Sequence, residues 1–290
     1  MSMYRNEEEG KRIDRIVISC VTFETVMITD PIEHYDATRA YLVHYSKNDD
    51  EVYSTCFNRV LDILEDSFNT TIFDYGELED DHYSGSIGAE IKKQKNLTVI
   101  DVNGEKVYKF QEMLKVLFSI IRKERSVSDK NPIYVNISAG TSEFSAAALV
   151  ASMMFDNIEA FSVGTKKYTI EGLEPFKDET TNEFIGLSRS VYPPRTINGF
   201  KVSFPEENDI LALRLYSEED FPSARKMIIA LKEKGLWGKE DGNLPNEKMR
   251  FQRQFIDNWM DNGLIEREGR GKYSLTPHGR FSIDTYYVDI

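Results

Sequence analysis

The sequence predicts an α/β chain, with a Rossmann-like, mainly parallel sheet domain followed by a C-terminal winged helix-turn-helix domain. Three observations predict it. Short β-branched runs alternate with helical stretches through the first 170 residues, the pattern of a parallel sheet covered on both faces. One such run, Ile133, Tyr134 and Val135, ends in a small, hydroxylated turn and passes straight into a small-residue helix. The last 85 residues instead hold three apolar-striped helices and a charged hairpin.

Residues 12–21 read as the first strand, centred on Ile16, Val17 and Ile18, with Thr22, Phe23, Glu24 and Thr25 as its carboxyl-end loop. A poor helix candidate interrupted by Pro31 follows, then a strand at 41–45. Residues 52–68 place Val52, Cys56, Val60, Leu61 and Leu64 at helical spacing. A short strand is expected at 71–73, and 74–95 is the least readable stretch. Residues 107–125 predict an amphipathic helix with Phe110, Met113, Leu114, Leu117 and Ile121 on one face. After the Ile133 strand come a helix at 142–155, a strand at 158–163 and a short edge strand at 168–170. Ala146, Ala147, Ala148 and Ala151 allow that helix to lie close to the sheet. Pro175, Pro193, Pro194 and Pro205 mark a connector. The expected organisation is a sheet domain at 11–172, a linker at 173–205 and a helical domain at 206–290. In the last of these, helices are expected at 209–216, 223–233 and 245–260, with Pro245 placed to start the third. Asn262 and Gly263 stop it, and strands at 264–268 and 272–276 flank a turn of Gly269, Arg270 and Gly271. There is no internal repeat.

With 40% hydrophobic and 29% charged residues over 290 positions, the chain has the composition of a globular protein with a real core. Its longest uncharged apolar stretch, residues 146–155, is about half of a membrane span, and no basic segment with an apolar core opens the sequence. No membrane partner is therefore expected. Cys20 and Cys56 are too few for a disulfide framework and fit a reducing, cytoplasmic setting. His34, His44, His82 and His278 share no metal or triad spacing, and neither a P-loop nor a GxGxxG follows the first strand. No metal or cofactor is expected. The net charge is −13, but residues 201–290 carry 14 Lys and Arg against 16 Asp and Glu, so nearly all the excess acid lies before them. That excludes wholesale nucleic-acid coating of the first part and leaves room for a local basic site in the second.

Two places carry chemistry. In an open α/β sheet, ligands bind beyond the carboxyl ends of the strands. There, Gly140 permits close backbone approach, Ser138, Thr141 and Ser142 offer hydroxyls, and the N–H groups of a helix start favour an anion such as phosphate. The alternative is that Thr141 or Ser142 simply caps the helix. In the C-terminal part, Phe251, Phe255, Ile256 and Trp259 suit a core, while Lys248, Arg250, Arg253 and Gln254 can project outward. Arg267, Arg270 and Lys272 sit on or beside the hairpin, where cations meet a duplex backbone. The alternatives are ordinary solvated charge or a dimerisation module. The Arg39-to-His44 spacing matches one class of metal-independent ribonuclease but falls on a strand. The triplets Glu9 to Lys11 and Glu90 to Lys92 are chance fragments of a metal-nuclease signature.

A late strand ending in Asn136, Ile137, Ser138, Ala139, Gly140 and Thr141, on a chain that closes in a winged helix, resembles the CRISPR-associated Rossmann-fold (CARF) regulators of archaea and their relatives. Ser138 and Thr141 match the family's turn, Ala139 replaces its first glycine, and Ser142 stands where Lys or Arg is frequent. The family's second ligand loop follows the first strand, where Thr22, Phe23 and Glu24 lie. The resemblance implies a homodimer that holds a cyclic oligoadenylate, or a similar anionic nucleotide, across its twofold axis with these two loops. It also implies a ligand-responsive transcription regulator with DNA as partner. Two alternatives stand beside it: a nuclease cleaving the ring at Ser138 and Thr141, with the winged helix serving assembly, and a protein-interaction scaffold.

Overall fold

Strand β1 (Ile16–Val21) is buried along its whole length, which requires cover on both faces of its sheet. The computed structural model describes residues 13–44, 51–77, 95–103, 108–169, 186–197, 202–219, 222–238, 243–269 and 272–287. The chain divides into two units, Met1–Val202 and Ser203–Ile290.

In the first unit, β1 leads through α1 (Val26–His34) to β2 (Arg39–His44), then α2 (Glu51–Ser67), β3 (Asn69–Asp74) and β4 (Asn96–Asn103). Next come α3 (Phe110–Val127), β5 (Ile133–Asn136), α4 (Ser142–Met154) and β6 (Ile158–Ser162). The strands β7 (Thr165–Tyr168), β8 (Ser188–Val191) and β9 (Arg195–Thr196) complete it. Seven strands lie in the order β3, β4, β2, β1, β5, β6, β9, parallel throughout except at the β6–β9 edge. Strands β7 and β8 form a separate antiparallel pair. This is the α/β, Rossmann-like fold that the alternating pattern predicts.

Side-chain alternation sorts the two faces. Val17 and Val21 of β1 and Leu42 of β2 share one cluster with Ile28 of α1 and Cys56, Val60 and Leu64 of α2. Tyr41, on the opposite face, donates its hydroxyl to Glu124 of α3 over 2.5 Å, and α3 packs on α4. Glu124 is fully buried and also accepts two bonds from Arg39 Nη1, at 2.6 and 2.7 Å. Arg39 and His44 therefore occupy opposite ends of β2, about 16 Å apart at ordinary strand rise, which removes the ribonuclease spacing as a site.

Several features depart from the sequence reading. First, α1 is a regular helix although Pro31 lies inside it. Proline has no N–H for the carbonyl four residues earlier, that of Met27. Asn136 supplies the missing donor, its Nδ2 reaching Met27 O at 2.8 Å. Second, β4 has no counterpart among the expected strands, yet it pairs with both β2 and β3. Third, part of the expected linker belongs to the sheet unit: β8 pairs with β7, and β9 with β6. The expected edge strand at 168–170 is replaced by β7, ending at Tyr168. The 74–95 stretch lies outside the described residues except for its two ends.

The second unit contains α5 (Glu207–Glu218), α6 (Ala224–Glu233) and α7 (Leu244–Phe251). The last continues as a π-helical segment, Gln252–Asp257, into α8 (Asn258–Asp261). An antiparallel hairpin of β10 (Ile265–Gly269) and β11 (Lys272–Leu275) follows, and then α9 (Pro277–Thr285), which the sequence reading lacks. Its core is aromatic: Trp259 lies 5.5 Å from Tyr216 and 5.4 Å from Phe255, centroid to centroid. Lys232 of α6 is paired with the buried Glu247 of α7 at 2.7 Å. No helix among the described residues is long and apolar enough to cross a membrane.

Candidate functional site

From β1 the chain turns through α1 to β2 on one side, and from β5 through α4 to β6 on the other. Strand order thus reverses between β1 and β5, and the carboxyl edge of that pair is the place where open α/β sheets hold ligands. Both expected ligand loops lie there, residues 22–24 after β1 and 138–142 after β5.

Close packing of Gly140 on Cys20 locks the second loop to the first strand. Gly140 has φ +101°, and a Cβ on it would come within 2.5 Å of Cys20 Cβ and 2.8 Å of its Sγ. Burial pushes the Cys20 thiol up to about 12, against a smaller opposing effect of a hydrogen bond with the Thr141 backbone. Cys20 is fully buried and packs under the turn. Asn136 Oδ1 accepts the Ser138 N–H at 2.9 Å while its Nδ2 holds α1, so one buried amide ties the two loops' supports together. Ser138 Oγ accepts from Val163 N at 2.6 Å, and Thr141 Oγ1 accepts from Phe144 N at 3.1 Å as the N-cap of α4. Capping and site geometry therefore coexist: the cap leaves the amides of Ser142 and Glu143 at the helix head, where no intrahelical carbonyl reaches them.

The first loop is braced from the far end of the unit. Glu24 is buried and accepts from Ser188 N and Ser188 Oγ, both at 3.1 Å. Burial holds its carboxyl above the usual carboxylate range, opposed by the two Ser188 bonds. Gly186 has φ +78°, and a Cβ on it would press within 2.6 Å of Phe23 O. Sequence reasoning has no signal for this brace, since 164 residues separate the partners. Of the eight expected ligand residues, Thr22, Glu24 and Ala139 are buried, Phe23 and Ser142 are exposed, and the others are half-buried. Glu143 stays on the first turn of α4, where it accepts from Ser142 Oγ at 3.0 Å. An open concavity of about 500 Å³, lined by Gly164, Tyr192, Pro193, Pro194 and Arg195, includes none of these residues. Among the described residues, no cluster of three His, Cys, Asp or Glu side chains could hold a metal ion.

Residues 15–168 match the family described as HFX_2341_N:-like, N-terminal, a stretch longer than half the chain. The chain belongs to this family. The match covers β1 through β7 and hence both loops at the switch point. No curated protein matches the sequence. Among solved structures, this HFX_2341_N-like chain is similar at a distance to Csm6 of Enterococcus italicus, bound to cyclic hexa-2′-fluoro-hexa-dAMP. That pair is 12% identical with a TM-score of 0.35, covering 52% of this chain and 33% of that one. Can2 from Sulfobacillus thermosulfidooxidans, in complex with cyclic tetra-adenylate, is 10% identical with a TM-score of 0.33, over 93% of this chain and 63% of that one. Protein VC1899 from Vibrio cholerae is 8% identical with a TM-score of 0.34, over 93% and 64%. The HFX_2341_N-like chain thus spans a third of the first structure and less than two thirds of the others. Likeness at this level carries no ligand or activity across.

In the second unit of this HFX_2341_N-like chain, Lys248, Arg253 and Gln254 are exposed along the α7 to α8 helix. Arg250 differs from the outward donor expected of it. It is half-buried, lies 5.1 Å over the Trp237 ring, and donates to Trp237 O at 3.2 Å and to Gln254 Oε1 at 3.1 Å. A guanidinium is drawn to an indole face, and that attraction turns it back onto its own domain. On the hairpin, Arg267 Nε donates to Gly269 O at 3.1 Å, Lys272 is exposed, and Arg270 lies outside the described residues.

Proposed function

We propose that the sheet unit senses a small anionic nucleotide, a cyclic oligoadenylate or a close relative, as a homodimer. The C-terminal unit, on this reading, is a winged helix-turn-helix that binds DNA under the control of that ligand. The observation that carries the sensor reading is the convergence of residues 22–24 and 138–142 on one topological switch point, with the head of α4 turned toward it. A polyanionic ring with internal symmetry suits two copies of such a helix head related by a twofold axis. Support for the DNA reading is the helix order, the hairpin, and the exposed Lys248, Arg253, Gln254 and Lys272. The hydroxyls of Ser138 and Thr141 both accept backbone N–H groups, which gives them positioning roles.

Calorimetric titration of the full chain with cyclic tetra-adenylate tests the sensor reading. Ser142→Pro is the sharpest variant. Thr141 has φ −81° and ψ 161°, a conformation compatible with a following proline, and Ser142 is the first helical residue, where proline is well tolerated. The substitution removes one donor N–H from the helix head and should leave the melting temperature within about 2 °C, since only a surface serine is lost. Saturable binding near one ring per two chains, weakened in Ser142→Pro, is the expected result. The same mixture, examined for linear product, detects the ring-cleaving alternative.

For DNA, the double variant Lys248→Ala/Arg253→Ala should lower affinity across sequences and flatten the salt dependence by about two phosphate contacts. Anisotropy with a labelled duplex at several salt concentrations reads this directly. An unchanged slope would remove the α7 to α8 helix as the interface.

A further inference from the structure

Three aromatic side chains from separate parts of the chain meet over the carboxyl edge of the sheet. Phe23 comes from the loop after β1, Tyr53 from the first turn of α2, and Tyr108 from the residues just before α3. The Phe23 and Tyr53 ring centroids lie 4.9 Å apart, and the Tyr108 hydroxyl donates to that of Tyr53 at 3.3 Å. The topology explains the meeting. In a parallel sheet, each helix that follows a strand starts at the carboxyl edge, so α2 and α3 both begin there although they cover opposite faces.

What lies beneath fixes the position. Tyr53 and Phe57 share one face of α2, a turn apart. Phe57 is buried and stacked on His44 with centroids 3.9 Å apart, and His44 is in register with Val21 at the end of β1. His44 is in turn paired with Asp101 of β4. This packed layer holds Tyr53 at the rim, against the first loop. Above it the burial stops: Phe23 is 36% exposed and Tyr108 50%. Single exposed rings are common, but Phe23 packs on Tyr53, and Tyr108 is tied to Tyr53 through its hydroxyl, at the edge where open α/β sheets hold ligands.

We propose that Phe23 and Tyr53, with the Tyr108 ring and hydroxyl at their rim, form a stacking platform for a purine base of the bound nucleotide. The proposal rests on the sensor reading above and adds where the base goes, with phosphate at the head of α4 and base on the α2 side. The spacing suits one nucleotide, because Phe23 follows by three residues the Cys20 on which Gly140 sits, a span of at most about 10 Å. Stacking on an aromatic face tolerates any base and strengthens with its size, so the platform selects purine over pyrimidine and leaves the choice between purines to other contacts.

Titration of the full chain with cyclic tetra-adenylate, in wild type, Phe23→Ala and Tyr53→Phe, tests it. Phe23→Ala should weaken binding about 5- to 150-fold, the loss expected for one stacked base. Tyr53→Phe keeps the ring and should stay within about threefold. A wild type that binds the ring while Phe23→Ala binds it equally well would overturn the platform and leave the sensor reading standing. Adenosine monophosphate serves as second probe, its H2 and H8 resonances moving upfield when stacked on a ring. If the wild type ignores the cyclic ligand but shifts those resonances, and Phe23→Ala does not, the platform holds and the cyclic ligand falls. Absence of both signals overturns both.

Discussion

Replacing Gly140 with alanine is expected to destabilise the sheet unit by about 2–5 kcal/mol and to abolish the nucleotide binding proposed above. Two costs add. The residue holds φ +101°, where any side chain brings roughly 1–2 kcal/mol of backbone strain. The new methyl would also stand 2.5 Å from Cys20 Cβ, inside a layer where Cys20 is fully buried, and overpacking of that kind costs typically about 1–3 kcal/mol. The relief available is for the 138–142 turn to lift off β1, and that separates the helix head from the first loop. Thermal melts followed by far-UV circular dichroism, with titration of the surviving folded protein, measure both effects. Cys20→Gly in the same chain should return part of the stability by removing the clash, while the backbone strain stays. A Gly140→Ala variant as stable as wild type would mean that the turn is not seated on Cys20 at all.

How far the sequence foretells this site depends on how local each cause is. A β-branched run, a glycine, three hydroxyls and an alanine-rich helix are contiguous, so the 133–155 strand, turn and helix are legible at once. The seating of Gly140 on Cys20 needs a neighbour 120 residues away, and the Glu24 brace needs Ser188. Pro31 reads as a helix breaker because the compensating donor, Asn136, lies 109 positions from Met27, whose carbonyl it satisfies. Strand β4 did carry a local signal. Leu97, Val99 and Val102 are buried on a β-branched run, but the run adjoins the acidic 74–95 stretch, which has no periodicity of its own. Arg250 shows the converse error: helical spacing correctly puts it off the core face, and spacing alone is blind to the Trp237 ring that draws it back.

The other large effect is expected far from the proposed ligand site. Glu124→Ala should cost about 3–5 kcal/mol, the usual penalty for stranding one partner of a buried ion pair. Glu124 has no exposure, and its carboxylate accepts from Arg39 Nη1 twice and from the Tyr41 hydroxyl. Its loss removes both bonds from Arg39 Nη1 and the bond from the Tyr41 hydroxyl, while the 3.3 Å contact of Arg39 with Asp14 stays. Both tryptophans, Trp237 and Trp259, belong to the second unit, so their emission does not report on this core. Urea unfolding followed through amide hydrogen exchange of β1 and β2 does. The compensating double variant Arg39→Met/Glu124→Leu separates two explanations. If the cluster is there for stability, the double variant should be no better than Glu124→Ala. If the cost is that of an uncompensated buried charge, replacing both ions with apolar side chains should recover most of it, because desolvation of the pair largely offsets its attraction. The second outcome is expected here. The cluster sits at the amino end of β2, where it joins β2 to α3 and to the residues leading into β1, across the sheet from the ligand edge. Ligand affinity in the refolded double variant should therefore equal that of wild type.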